Sequence, residues 1–436
     1  MLSNFLTSLV AVAVLLGILI FIHELGHYAA AKLFGVRVEV FSLGFGKRLF
    51  GFRRGDTDYR VSALPLGGYV KMSGENPMEE STGDPGEFMA HPRWQRFIIA
   101  IAGPAMNILL AIVVLAVAYK LHYERPYFID QPAVISFVEE NSLAAKAGLQ
   151  ANDRIVEVDG ANNPTWEIVL NEMAISVGQK FRFHVQRGNQ TLSKEVVITS
   201  GEINPLDQLG IAPEPYAIRQ VGAGSPAEKA GMRAGDEILQ VNDKPIHSTD
   251  EFSTVLKEAA GKPVIVQVWR AGSLLNVTMT PEKEEATGRY IGGFYAGERT
   301  HVEHLSFSQA LAMSLEDNKK NSLLIVKVLK KLLSRPVNIS QFSGPIGIAR
   351  LSGKAARAGF LSFIGLMALI SLNLGLFNLL PIPILDGGLI LLLAIEGTMR
   401  RDIRREVKER VYQAAFVFLI IFAAFVIVND ITKLHM

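Results

Sequence analysis

The stretch Phe21-Ile22-His23-Glu24-Leu25-Gly26-His27 sets two histidines and a glutamate inside a run that is otherwise almost purely apolar. From Phe5 to Leu33 the residues read as one membrane-spanning helix, because about 20 apolar residues match the thickness of a hydrocarbon core. Ionisable groups at that depth are costly, so a chain that keeps three of them marks a functional site. On a helix, His23 and His27 lie four apart on one face, with Glu24 beside them. Two neutral imidazoles at that spacing can share one zinc ion, while the glutamate, not itself a ligand, is placed to take a proton from a metal-held water. A cleaved signal peptide is also apolar, and small residues follow at Ala29-Ala30-Ala31. It needs a basic start, however, which Met1-Leu2-Ser3-Asn4 lacks, and a shorter apolar run.

Composition narrows the choices. With 436 residues, 49 % of them hydrophobic, the chain reads as a membrane protein with soluble parts and room for several domains. A formal net charge of +2 gives no sign of nucleic acid as a partner. There is no cysteine, which excludes disulfides, thiol nucleophiles and cysteine-bound metal, so a zinc site has to be built from His, Asp and Glu.

Taken in order, 1–34 is the first span. Residues 35–96 are polar and glycine-rich, with period-two runs at Val36–Val40 and Tyr59–Ala63 that argue for strands. Gly44-Phe45-Gly46, Gly51 to Asp56 and Pro65-Leu66-Gly67-Gly68-Tyr69 read as turns between them. A small antiparallel sheet beside a membrane site has an edge that can hold a substrate backbone extended, although a structural loop shows the same spacing. Residues 97–120 form a second span containing Gly103-Pro104-Ala105-Met106-Asn107. Such a helix is tolerated where protein surrounds it, and Asn107 reads as helix glue.

Between 125 and 285 an internal repeat appears. Ser142-Leu143-Ala144-Ala145-Lys146-Ala147-Gly148-Leu149 followed by Asp153-Arg154-Ile155-Val156-Glu157-Val158 returns some eighty residues later as Ser225-Pro226-Ala227-Glu228-Lys229-Ala230-Gly231-Met232 followed by Asp236-Glu237-Ile238-Leu239-Gln240-Val241. Each copy, 125–205 and 206–285, resembles a PDZ domain, an α+β fold that binds extended peptides by strand addition. A spacer or shield for the membrane part is the other reading. Residues 300–359 combine amphipathic helix, or a helix pair on the bilayer surface, with a turn-rich connector at Gln341–Ile348. The third span, 360–399, carries Asn373 and Asn378 and breaks at Pro381-Ile382-Pro383-Ile384-Leu385-Asp386-Gly387-Gly388. Irregular backbone at membrane depth must line a cavity or be buried in protein, and Asp386 there needs a partner, for which a metal is the best candidate. A basic loop, 400–410, leads into a fourth span, 411–430.

The positive-inside rule places that loop in the cytoplasm, together with Lys47, Arg48, Arg53 and Arg54. Both ends of the chain and the tandem then face the other side, in a bacterial cell the periplasm. His23 lies about 20 residues from the outer end of its span and Asp386 about 25 from the outer end of the third. At ~1.5 Å per residue both come near the cytoplasmic edge of the hydrocarbon. His23, His27 and Asp386 give three ligands and leave a fourth tetrahedral position for water, the pattern of a catalytic zinc.

These residues resemble the site-2 proteases, most closely the regulator-of-sigma-E branch with tandem PDZ domains. The resemblance rests on HELGH at His23–His27, the SLGFG and PLGGYVKM stretches, GPAMN at Gly103–Asn107, SGPIGIA at Ser343–Ala349 and NLLPIPILDGG at Asn378–Gly388, and it covers essentially the whole chain. It implies a polytopic α-helical membrane protein with four transmembrane helices, a small membrane-associated β-sheet and two periplasmic PDZ domains, located in the bacterial inner membrane. It further implies an intramembrane zinc endopeptidase with one Zn2+ on His23, His27 and Asp386 and Glu24 as base. Asn378 would contact the substrate backbone or the oxyanion, and Gly44, Gly67 and Pro383 would help to hold the substrate. The implied substrates are single-span anti-sigma factors already trimmed by another protease, and remnant signal peptides; the tandem would filter by size or read a new terminus. Two other classes fit parts of the pattern: a PDZ-containing membrane adaptor with a non-catalytic metal site, and a transporter with broken helices, which would show repeats among its spans rather than in its soluble part.

Overall fold

The computed structural model describes residues 2–75, 82–176, 178–199, 204–247, 249–284, 288–297, 300–334 and 344–434. The chain divides into two compact units, Met1–Tyr123 with His304–Met436, and Glu124–Glu303.

In chain order the first unit comprises helix α1 (Leu2–Leu33), strands β1 (Val38–Arg54) and β2 (Thr57–Met72), and helix α2 (Arg93–Leu121). After the second unit come α3 (Phe307–Ser334), α4 (Pro345–Ala358), α5 (Phe360–Asn378), α6 (Asp386–Met399) and α7 (Arg405–Leu434). Helices α1, α2, α5 and α7 each contain a stretch long and apolar enough to cross a membrane. In lipid no hydrophobic drive pulls helices together, so close approach on small residues takes its place. A Cβ on Gly26 of α1 would lie 2.4 Å from Ala102 O of α2, and one on Gly375 of α5 would lie 2.9 Å from Pro104 O. Leu15 and Leu19 of α1 are fully buried with Met367 of α5.

Strands β1 and β2 differ from the expected set of short hairpins. Only the turn at Gly55-Asp56 reverses the chain cleanly. Gly44 and Gly46 instead sit inside β1 with φ of 89° and 86°, and Gly67 inside β2 with φ of 140°, so the strands bend rather than end there. Phe41 is thereby paired with Tyr59 on one side and Val70 on the other. Residues 40–43 lie between 58–61 and 68–71, which leaves 68–72 as an edge segment among the described residues.

Two helices depart from expectation. The single helix α3 is fixed to α2: Ser314 Oγ donates to Ile112 O at 2.7 Å and Tyr119 OH to Asp317 Oδ2 at 2.6 Å. Where a turn-rich connector was expected, α4 starts at Pro345, a residue suited to the first helical position because its missing N–H would have no partner there. The amides of Gly344, Ile346 and Gly347 donate to the carboxylate of Asp430 on α7 at 2.9, 3.1 and 3.1 Å, a negative charge at a helix N-terminus. The connector at 335–343 lies outside the described residues.

The second unit repeats one plan. In the first copy Arg154–Val158 pairs with Lys180–Arg187, which pairs with Gln190–Val197, and Trp166–Ala174 is the helix. In the second, Glu237–Val241 pairs with Val264–Arg270, which pairs with Ser273–Met279, and the helix is Thr249–Ala259. Each copy has its own core, around Trp166, Phe183 and Val185 in one and Ile218, Val266 and Val268 in the other. The repeated serines start equivalent short helices, Ser142 Oγ accepting from Ala145 N and Ser225 Oγ from Glu228 N.

Candidate metal centre

Helix α1 runs without a break through His23, Glu24 and His27, so helical geometry alone puts the two rings on one face. Both histidines are buried. Asp386 arrives from the other end of the chain because the helix pair α5–α6 is interrupted at residues 379–385, and Asp386 opens α6. The interruption is tight. A Cβ on Gly387 would lie 2.2 Å from Leu380 O, one on Gly388 2.3 Å from Ile382 O, and Ile384 has φ 91°, which a β-branched residue seldom adopts.

His23 Nε2 lies 3.1 Å from Asp386 Oδ2 and 3.2 Å from His27 Nε2, and His27 Nε2 lies 3.4 Å from Asp386 Oδ1. A regular tetrahedron of ~2.05 Å metal–ligand bonds has edges of about 3.3 Å; the two ring nitrogens are spaced as one such edge, the carboxylate meets each ring through a different oxygen, and one ligand atom from each of the three residues can be chosen within 4.8 Å of the others. Proton bookkeeping points the same way. His27 Nδ1 donates to Ile99 O at 2.8 Å, so the neutral ring has no proton left for Nε2, and that lone pair faces Asp386 and His23. The donor set therefore fits a divalent cation. Room for the His27 ring is provided by α2, where a Cβ on Gly103 would fall 2.2 Å from Nε2. Pro104 lacks the N–H that would reach Ala100 O, the carbonyl next to the Ile99 one that accepts from His27.

Glu24 does not join the trio. Its Oε2 accepts from Val70 N, on the edge segment of β2, at 2.9 Å. A cavity of about 270 Å³ opens between them, lined by His23, Glu24, His27, Val70, Asn378 and Asp386. Asn378 Nδ2 lies 3.4 Å from His23 Nε2, so of the expected substrate contacts Asn378 reaches the cavity. Gly44, Gly67 and Pro383 are not in that lining: Gly44 packs on Leu64 O, Gly67 on the Phe45 ring, and Pro383 beneath Gly388. Gly68, which follows Gly67, instead approaches the Glu24 side chain. Sequence reasoning passed over Ile99 O, the amide of Val70 and Glu75. Glu75 lines the same cavity and accepts from Met72 N at 3.2 Å. Backbone groups carry no sequence signal; Gly103 and Asn107 did, through the GPAMN stretch.

At the basic loop 400–410, Lys408 Nζ lies 2.6 Å from Glu396 in a buried pair that joins α7 to α6, and Arg93 lies 2.7 Å from Asp402, joining the loop to the start of α2. The Asp402 carboxyl is held below the ordinary carboxylate range, chiefly by the hydrogen bond from Arg93.

The sequence profile of peptidase family M50 matches residues 11–422. The regulator of sigma-E protease RseP of Salmonella typhimurium is 33 % identical to this chain, over 99 % of the chain and 100 % of that protein. RseP of Escherichia coli is 32 % identical over the same shares. A protein named as a zinc metalloprotease in Vibrio cholerae is 33 % identical, again over 99 % and 100 %. Among solved structures, the PDZ domain of an SdrC-like protein from Listeria monocytogenes covers 19 % of the chain and 86 % of that domain, with 17 % identity and a TM-score of 0.18. A match that begins in the first apolar helix and ends in the last, with relatives aligned along their whole length, makes the chain a member of peptidase family M50, the site-2 zinc metallopeptidases.

Proposed function

We propose that this chain cleaves membrane-spanning segments of single-span proteins, anti-sigma factors trimmed beforehand and remnant signal peptides among them, at a zinc held by His23, His27 and Asp386. The observation that carries the reading is the meeting of these three side chains within 4.8 Å of one another, with Glu24 alongside but held apart by Val70 N. Zinc, when bound, supplies Lewis-acid polarisation of a carbonyl and a water acidified toward neutrality. Glu24 takes the proton from the attacking water at Oε1, the oxygen not engaged by Val70, and returns it to the leaving nitrogen. Asn378 Nδ2, at the rim of the trio, donates to the substrate backbone or the developing oxyanion.

Peptide bonds within a helix are shielded by their own hydrogen bonds, so the substrate must be extended before attack. The edge segment 68–72 offers a strand to pair with. Two of its amides are already satisfied by side chains, Val70 N by Glu24 and Met72 N by Glu75, so an incoming strand that pairs at Met72 has to displace Glu75 while Val70 N stays with Glu24. The second tandem copy offers another edge. Phe294–Gly297 pairs with Ala217–Val221, and a groove of about 450 Å³ separates it from the helix Thr249–Ala259, lined by Phe252, Leu256, Tyr290 and Gly293. A peptide added there as a strand would report to the protease what lies outside the membrane. The basic residues of β1 and of the 400–410 loop support a reading with the metal site near the cytoplasmic face and the tandem in the periplasm of a bacterial inner membrane. Sigma-E signalling, named in the relatives, is the setting this reading adopts.

Replacing Glu24→Gln tests the assignment. Zinc content stays at the wild-type level while cleavage of a reporter transmembrane substrate falls by about 10²–10⁴. Undiminished cleavage would sink Glu24 as the base, and absence of zinc-dependent cleavage by the unaltered protein would favour an adaptor with a structural metal.

A further inference from the structure

Asn107 of α2 is fully buried, and its amide Nδ2 lies 3.1 Å from His23 Nδ1, on the side of the ring away from Asp386. Its Oδ1 is buried and has no hydrogen-bond partner among the described residues. We propose that Asn107 is a positioning residue that accepts the hydrogen bond of His23 Nδ1–H at Oδ1 and so fixes the ring tautomer that presents a bare Nε2 to the metal. This rests on the reading of His23 as a zinc ligand.

A neutral imidazole carries one N–H. The nitrogen of His23 that faces Asp386 and His27 is Nε2, so a metal there requires the proton on Nδ1, and a buried N–H requires an acceptor. Histidines that ligate metals almost always find one. His27 has Ile99 O. His23, in the middle of an apolar helix, has the amide of Asn107. With Nδ2 turned to Nδ1, the amide serves the opposite tautomer and strands its own oxygen. The two ends of the amide have the same shape, so a half-turn about the last torsion exchanges them without repacking. One end is unpartnered in either orientation, and the proton on the ring therefore decides which end faces it.

The surroundings allow that turn and nothing larger. Ser371 Oγ donates to Asn107 O at 2.8 Å, and a Cβ on Gly375 would lie 3.4 Å from Asn107 Cβ, so α5 presses directly on this residue. Gly103, which makes room for His27, is one turn before it on the same helix. One turn of α2 thus provides for both histidines.

The test is zinc affinity of the full-length protein, measured by chelator competition, for Asn107→Leu, Asn107→Asp and His23→Ala. Asn107→Leu binds zinc about 10–100-fold more weakly, whereas Asn107→Asp, which only accepts, stays within about tenfold of wild type. Wild-type affinity in Asn107→Leu overturns the proposal if His23→Ala has lost zinc; if His23→Ala also binds normally, the ligand reading itself has failed. Equal losses in Asn107→Asp and Asn107→Leu overturn it as well, because a donor role would be lost in both. Side-chain 15N NMR of the unaltered zinc-loaded protein needs no variant to fold: His23 shows Nδ1 protonated and Nε2 metal-bound, and the reverse pattern overturns the proposal.

Discussion

Asp386 in the membrane unit and the pair Asp153 and Asp236 in the tandem are carboxylates withdrawn from bulk water, and the chain treats them in opposite ways. Arg187 donates to both oxygens of Asp153 at 2.7 Å and to Gly148 O at 2.8 Å. Arg270 repeats this on Asp236 at 2.6 Å and on Gly231 O at 2.8 Å. Backbone amides of Gln150 and Arg233 complete the two shells. Each fork closes the turn between the short serine-capped helix and the following strand, which explains why the glycine and the aspartate recur together in the repeat. Asp386 has no arginine or lysine paired with it among the described residues. The ion-pair partners found for it among the described residues are His23 and His27. A buried acid that comes with its own guanidinium is architecture; a half-buried one faced by imidazole nitrogens at ligand-to-ligand spacing is, in the proposed reading, left for a cation from outside.

The largest effect that can break this comparison is at Asp386. Asp386→Ala brings metal content and cleavage to background while amide exchange in the tandem is unchanged. Retained zinc, read by elemental analysis of purified protein, contradicts the claim that Asp386 is a ligand. The counterpart in the tandem is Arg270→Met. It leaves Asp236 buried without its partner and destabilises the second copy by about 3–5 kcal/mol, whereas adding Asp236→Leu to it returns most of that loss. Zinc content is the same in both variants. A single change as mild as the double one would show that the pair is not coupled.

These contrasts were partly legible in the sequence. His23, Glu24 and His27 stand on one uninterrupted helix, so local periodicity was enough. Asp386 could be joined to them because depth in a membrane is counted in residues from the ends of spans. The tandem was legible because a repeat shows the same residues twice. What stayed hidden depended on distant partners. Helix α4 is capped by Asp430, 86 residues along the chain from Gly344, and its glycine-proline start reads like a connector without that cap. The order of segments in the β1–β2 sheet follows from bends at Gly44, Gly46 and Gly67 that look like turns when only the residue types are known. The edge segment 68–72 and its contact with Glu24 depend on that order.

The smallest effect is also the most specific, since it concerns a sign. Burial on its own would raise the pKa of Asp153 and Asp236, but the guanidinium hydrogen bonds, with those from Gln150 N and Arg233 N, hold both below the ordinary value of 3.8. An acid whose folded-state pKa is depressed adds stability that is present above its unfolded pKa and is lost as pH falls through the folded one. Amide protection in both copies is therefore flat from neutral pH down to about 5 and declines below about 4. Arg270→Met removes the main lowering influence from Asp236 and leaves burial, the largest influence on it, opposed by Arg233, so the folded pKa of that residue is expected to move above the unfolded one. The second copy of the variant then gains protection as pH falls toward 4, because protonation relieves a buried charge, while the first copy keeps the wild-type decline. Hydrogen exchange followed by mass spectrometry reads the two copies separately in one molecule, so the first serves as the control for the second. Parallel declines in both copies of Arg270→Met would mean that Asp236 is better solvated than its burial implies.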